Sequence, residues 1–158
     1  MKPKKSNTEI SSLEAHIGFW LRLVSNHVSY AFARKLDASG VTVAEWVVLR
    51  EMYGYEAAMT SPSTVATLTG LTRGAVSKLI DRLLNKQLVT RTESNDDRRF
   101  QNIQLTKEAI RLVPKLTALA DENDEAFFSM LSSAEQNTLK KILKKTAHFH
   151  QLKKIPIT

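Results

Sequence analysis

Arg73, Ser77, Lys78 and Arg82 stand at spacings that gather them on the outer side of one helix, with Gly74 and Ala75 among them and Thr72 in front. A guanidinium forks onto guanine or phosphate, and an ammonium is a point charge for phosphate. Hydroxyls reach phosphate oxygens or base edges, and glycine admits a close backbone. This is the chemistry of polyanion recognition, not of bond making. A second cationic pair, Arg98-Arg99, follows the turn-forming run Ser94-Asn95-Asp96-Asp97. Two arginines at a hairpin tip suit a minor groove, whose negative potential draws guanidinium groups. A basic outward face alone is an ordinary solvated surface, so the elements that hold these residues decide what they mean.

Ser61-Pro62 supplies an N-cap and a proline at the first helical position. Val65, Ala66 and Leu68 give the helix that follows an apolar side, and Gly70 can take the left-handed conformation that stops it. Thr72 caps a second helix, in which Val76, Leu79, Ile80, Leu83 and Leu84 recur at three- and four-residue spacing. Extended segments are predicted from Leu88 to Glu93 and up to Ile103 and Leu105, with the basic turn between them. So short a hairpin must lean on the helices beside it. Helix, turn, helix, strand, basic loop, strand is the order of a winged helix-turn-helix.

These residues resemble the signature of MarR-type transcriptional regulators. The resemblance rests on Leu71-Thr72, the helix through Leu83, Asn85 to Arg91, and Asp97-Arg98-Arg99 leading to Ile103-Gln104-Leu105-Thr106. It extends over nearly the whole chain, because that family carries a long helix before the winged domain and two long helices after it. Where the family often has glycine, this chain has Gln87 and Ala109. The resemblance implies a homodimer on double-stranded DNA. It also implies release by a small aromatic or anionic effector, bound between the dimerisation helices and the winged domain.

The 158 residues can bury a real core, and 42% hydrophobic with 25% charged residues is ordinary for a soluble protein. A net charge of +7 points toward polyanions. Much of the surplus lies at the ends, in Lys2, Lys4 and Lys5 and in the six lysines after Glu135. There is no cysteine, which excludes disulfides and thiolate metal sites within this chain. No segment reaches transmembrane length and Met1 to Ser12 is too polar for a secretory signal, so a cytoplasmic protein without membrane contact is expected.

Apolar residues Leu13, Ile17, Trp20, Val24, Val28, Ala31 and Phe32 keep a helical period between Leu13 and Leu36, and Phe19, Leu21 and Leu23 widen the stripe. Such a helix needs more cover than one small domain provides. Thr42-x-x-Glu45 and Ser132-x-x-Glu135 are capping boxes that open further helices. Another helix runs between Lys107 and Met130, with Pro114 predicted to bend it near Arg111. Ile17, Trp20, Val24, Phe32, Ile142 and Phe149 are the expected dimer seam.

Catalysis finds no support: no nucleophile elbow, phosphate loop or HExxH helix is present. His148-x-His150 and the pair His16 and His27 lack metal-ligand spacing, so neither metal nor cofactor is expected. For an effector, His16 with Trp20 and Trp46 with Arg50 each pair an aromatic wall with a cationic or imidazole group one turn away. Tryptophans on apolar stripes are more often core.

The reading is a mainly α fold with a small β-hairpin wing, a winged helix-turn-helix joined to a helical dimerisation region. Residues 1–40 form an N-terminal arm and long dimerisation helix, 41–106 the DNA-binding domain, and 107–158 the C-terminal dimerisation helices. The function is sequence-specific DNA binding, as a repressor on a pseudo-palindromic operator. Arg73, Gly74, Ala75, Ser77 and Lys78 meet the major groove, Thr72 caps the helix start whose free amides favour a phosphate, Arg82 and Arg98 meet the phosphates, and Arg99 enters the minor groove with Asp97 bracing it. The rival is a helical dimer that binds ligands or partners without reading DNA.

Overall fold

The computed structural model describes residues 10–93 and 101–157. Helix α1 spans Ile17–Asp37, α2 Val43–Gly54, α3 Pro62–Thr69 and α4 Arg73–Asn85. Strands β1 (Val89–Glu93) and β2 (Gln101–Leu105) then pair antiparallel, Val89 opposite Leu105 and Glu93 opposite Gln101. Helices α5 (Lys107–Phe127) and α6 (Ser133–Phe149) complete the order.

Local chemistry sets most boundaries. Thr42, Ser61, Thr72, Thr106 and Ser132 each accept, on the side-chain oxygen, the amide three residues on, which satisfies donors that an opening helix cannot. Both capping boxes close, and Gly70 ends α3 at φ +67°. Gln87 also stands in the left-handed region, at φ +58°, so a side chain occupies the backbone state that the resembled family often gives to glycine. Ala109 sits in ordinary helix, its methyl wholly buried.

Two expected helix limits move. The first helix does not begin at Leu13: Leu13–Ala15 is a single 3-10 turn, and His16 is extended at φ −100° and ψ 127°. In a continuous helix Glu14 O would accept the amide of Gly18, but here it takes the indole Nε1–H of Trp20 at 2.8 Å. The helix after the wing ends at Phe127 rather than Met130, while it runs on through Pro114 as one element.

One apolar core joins these parts. Phe32 and Leu36 of α1 meet Val48, Leu49 and Met52 of α2, then Val65, the buried side of α4 with Val76, Leu79, Ile80 and Leu83, Val89 and Ile103 of the hairpin, and Ala109, Val113 and Leu116 of α5. It crosses the sequence positions 40/41 and 106/107. Asn123, buried on α5, donates to Val28 O at 3.3 Å, and Lys35 pairs with Glu122 at 2.7 Å, so α5 is also strapped to α1. The hairpin gains a third partner: Thr60, ahead of α3, exchanges both backbone hydrogen bonds with Ile103 at 2.9 and 2.7 Å.

Outside the core lies unmatched apolar surface. Ile17, Trp20 and Val24 of α1 and Ile142 and Phe149 of α6 are exposed, and α6 has no buried residue at all. Phe32 is otherwise placed than expected. It is 9% exposed and packs edge-on against Trp46 with ring centroids 5.0 Å apart, so it belongs to the chain's own core and offers nothing to a seam.

Candidate nucleic-acid interface

Helix α4 has two unlike sides. Val76, Leu79, Ile80 and Leu83 are at most 5% exposed, which fixes its rotation about its own axis, and Arg73, Gly74, Ser77, Lys78 and Arg82 are therefore turned to solvent. A Cβ built on Gly74 would meet nothing within 4 Å, so the glycine leaves open space rather than a filled contact. Thr72 caps the helix, its hydroxyl accepting from Ala75 N–H at 3.2 Å. Ala75 is only half available, because its methyl leans on the core. Arg73 reaches back toward α3, its Nη2 3.5 Å from Ser63 Oγ, a contact too long to hold it.

Not every cation near this face is free to meet an anion. Arg91 on β1 pairs with Asp81 on α4 at 3.1 Å, tying the first strand to the helix. Lys86, just past the end of α4, sends its ammonium to Glu45 Oε2 and to Gly40 O, both at 2.7 Å. Sequence spacing flagged neither ion pair. Between Thr72 and Glu93 the cations outside ion pairs are Arg73, Lys78 and Arg82, among the described residues.

Glu45 is 1% exposed, and the reason it can stay charged is its surroundings. Burial alone pushes its carboxyl up, but the Lys86 ammonium, the Thr42 backbone N–H and the Thr42 hydroxyl together hold it below the ordinary carboxylate value. Its Oε2 thus closes the capping box of α2 and anchors the end of α4.

Other candidate residues fall differently. Asp97, Arg98 and Arg99 lie outside the described residues. The two effector pairs are not brought together. Trp46 packs on Phe32, twelve positions along α1 from Trp20, a separation of about 18 Å at the helical rise. His16 is not on a helical turn with Trp20; its Nδ1 lies 3.1 Å from Ser12 O, and the Trp20 indole is taken by Glu14. The guanidinium of Arg50 lies over Gly54 instead, 3.0 Å from where a Cβ there would stand. A cavity of about 280 Å³ that sequence spacing did not point to lies between α2, β2 and α5, lined by Met52, Tyr53, Tyr55, Thr60, Gln104 and Ile110.

Residues 39–99, which contain α2, α3, α4 and β1, match the model of the MarR family. Over those residues the chain is similar to MarR-type winged helix-turn-helix regulators. Over 110 residues the chain is 29% identical to the HTH-type transcriptional regulator PrsX of Escherichia coli, covering 70% of this chain. The match spans 66% of that regulator, just under two thirds of its length. The S. aureus MepR chain solved as a DNA complex is similar, with a TM-score of 0.75 and 26% identity over 84% of this chain and 97% of that one. Bordetella bronchiseptica BpsR, whose DNA binding is regulated by 6-hydroxynicotinic acid, shares the fold, with a TM-score of 0.75, 23% identity and coverage of 87% and 97%. The described helices include none long and apolar enough to cross a membrane.

The Lys86–Glu45 pair gives a test with a definite sign. Lys86→Met leaves the buried carboxylate unpaired and costs on the order of 2 kcal/mol at pH 7, less than a fully buried pair would because Lys86 is itself 37% exposed. In the wild type the depressed pKa contributes stability that is full above 4.5 and lost as pH falls through the folded-state value. With the ammonium gone burial dominates and the pKa rises, so the variant regains stability between pH 7 and 5. Urea unfolding at both pH values measures this, and parallel pH dependences would refute it.

Proposed function

We propose that this MarR-type protein is a cytoplasmic, DNA-binding transcriptional repressor that acts as a homodimer on a pseudo-palindromic operator. The observation that carries the reading is the two-sided α4, whose buried residues leave Arg73, Gly74, Ser77 and Lys78 as the outward leading turns of a helix sized for the major groove. Thr72 presents the free amides of the helix start to a phosphate, and Arg82 reaches backbone one turn later. Arg99 enters the minor groove with Asp97 bracing it, and Arg98 meets the adjacent backbone. Relatives that are transcriptional regulators and a similar chain solved on DNA support the same function.

The dimer follows from surface that one chain leaves uncovered. Ile17 and Phe149 are each 79% exposed, and an open groove of about 1070 Å³ runs along α6 past Ile142, Phe149 and Leu152. A second copy related by a two-fold axis would cover these faces and set two α4 helices one turn of DNA apart.

For effector release the cavity beside Tyr53 and Tyr55 is a better container than the tryptophan pairs. Thr60 lines it, its hydroxyl buried without a hydrogen-bond partner among the described residues, and Glu56 is the charged residue on its wall, with no lysine or arginine. A neutral aromatic hydroxyl compound therefore fits it better than an aromatic anion.

Arg73→Ala should relax sequence preference at one position per half-site, whereas Lys78→Ala should weaken cognate and random duplex alike and flatten the salt dependence by roughly one unit of slope. Fluorescence anisotropy with both duplexes separates them; an equal loss on both for Arg73→Ala would mean that it touches backbone only. A wild-type affinity indifferent to salt would favour the rival, a dimer that binds partners without DNA.

Val24→Glu places a carboxylate at the expected seam, which costs several kcal/mol, of order 3, when unpaired and buried. Sedimentation should show monomer, with operator binding lost in step. Tight operator binding by a wild-type monomer would overturn the dimer. Phenol should lower duplex affinity where benzoate does not, and Thr60→Val should alter the phenol response. The reverse order of the two compounds would move the effector site elsewhere.

A further inference from the structure

After α6 the chain turns back on itself. Gln151 takes φ +53°, Leu152 N–H closes on Ala147 O at 2.9 Å, and the backbone then crosses the turn between α3 and α4. There Ile155 N–H donates to Thr69 O at 2.9 Å, Ile155 is half-buried, and Ile157 packs against the core. The approach is close enough that a Cβ on Gly70 would stand 2.8 Å from Lys154 Cα and 3.2 Å from Lys153 O. Gly70 thus serves two needs, a left-handed helix end and room for a crossing backbone.

The crossing places two cations. Lys153 and Lys154 are exposed and take part in no ion pair among the described residues. Gly70 precedes the cap of α4, Thr72, by two positions, about 7 Å of chain, which is close to the reach of an extended lysine. The backbone of Lys153 and Lys154 therefore lies about one lysine's length from the leading turn of α4, where Arg73 stands. Asp81, the acidic residue of α4, is taken up by Arg91.

We propose that residues 152–157 form a docked strap whose Lys153 and Lys154 bind duplex phosphates flanking the groove that α4 reads. The proposal rests on the duplex reading of α4 given above. An acidic protein segment would also attract two lysines, but here they continue a cationic surface begun by Arg73, Lys78 and Arg82, whose common partner is a polyanion of regular spacing. Lysine suits this anchoring work, as a mobile point charge without demands on base geometry.

A salt titration of binding to a random-sequence duplex, with the full chain, tests it. Lys153→Ala/Lys154→Ala should weaken binding and make log K against log salt shallower by about 0.9 per lost phosphate contact, so by up to about two per protomer. Lys153→Arg/Lys154→Arg should keep the wild-type slope. Ile155→Ser/Ile157→Ser, which undocks the strap but keeps both lysines, should reduce the slope as the alanine variant does. A steep wild-type slope left unaltered by the alanine variant overturns the strap. So does an unaltered slope in the serine variant. A flat wild-type slope instead overturns the duplex reading itself.

Discussion

The Glu45 carboxylate, nearly sealed from water, is the point on which the arrangement of the reading helix turns. Its Oε2 accepts from the first amide of the α2 cap and from the Lys86 ammonium, which also holds Gly40 O. One buried charge thereby fixes three things: where α2 starts, where α4 ends, and the loop that leads from α1. A buried charge without partners would unfold the site or take up a proton, so each contact is a condition for the others. Core packing sets the rotation of α4 about its axis, and this pair sets its far end.

Two kinds of constraint divide the labour across the molecule. Oily contacts between α1, α2, α4, the hairpin base and α5 are non-directional and hold the body together. Directional ones sit at the edges: the Arg91–Asp81 pair ties β1 to α4, and the Thr60–Ile103 exchange adds a short third rung to a hairpin too small to stand alone. The wing is thus supported at its root by α4 on one side and by the residue before α3 on the other.

How much of this was legible in the sequence depended on range. The caps at Thr42, Ser61, Thr72 and Ser132 act over three residues, and α4's stripe over four, so spacing reveals them directly. Glu45 read correctly as a capping residue, yet its second partner stands 41 positions away and carries no local signal. The break at His16 was hidden because it goes with the capture of the Glu14 carbonyl by an indole six residues beyond it. Phe32 has the spacing of a seam residue, and only the position of Trp46 draws it inward. The effector pairs failed for a similar reason: one-turn spacing says that two side chains are neighbours, not that two helices meet. The terminal lysines read as surplus charge, since nothing in Lys153-Lys154-Ile155 announces a hydrogen bond to Thr69.

The return of the chain to Thr69 makes α6 a handle. The chain is anchored before it where Asn123 of α5 is buried and after it where Ile157 meets the core, so the stretch between them is a closed loop of about 34 residues. Closing a flexible loop of that length costs on the order of 3 kcal/mol of chain entropy, and the strap's docking is a contact within one chain. The least buried helix of the molecule is in this way joined, through six residues of chain, to the turn that precedes the helix facing outward to read.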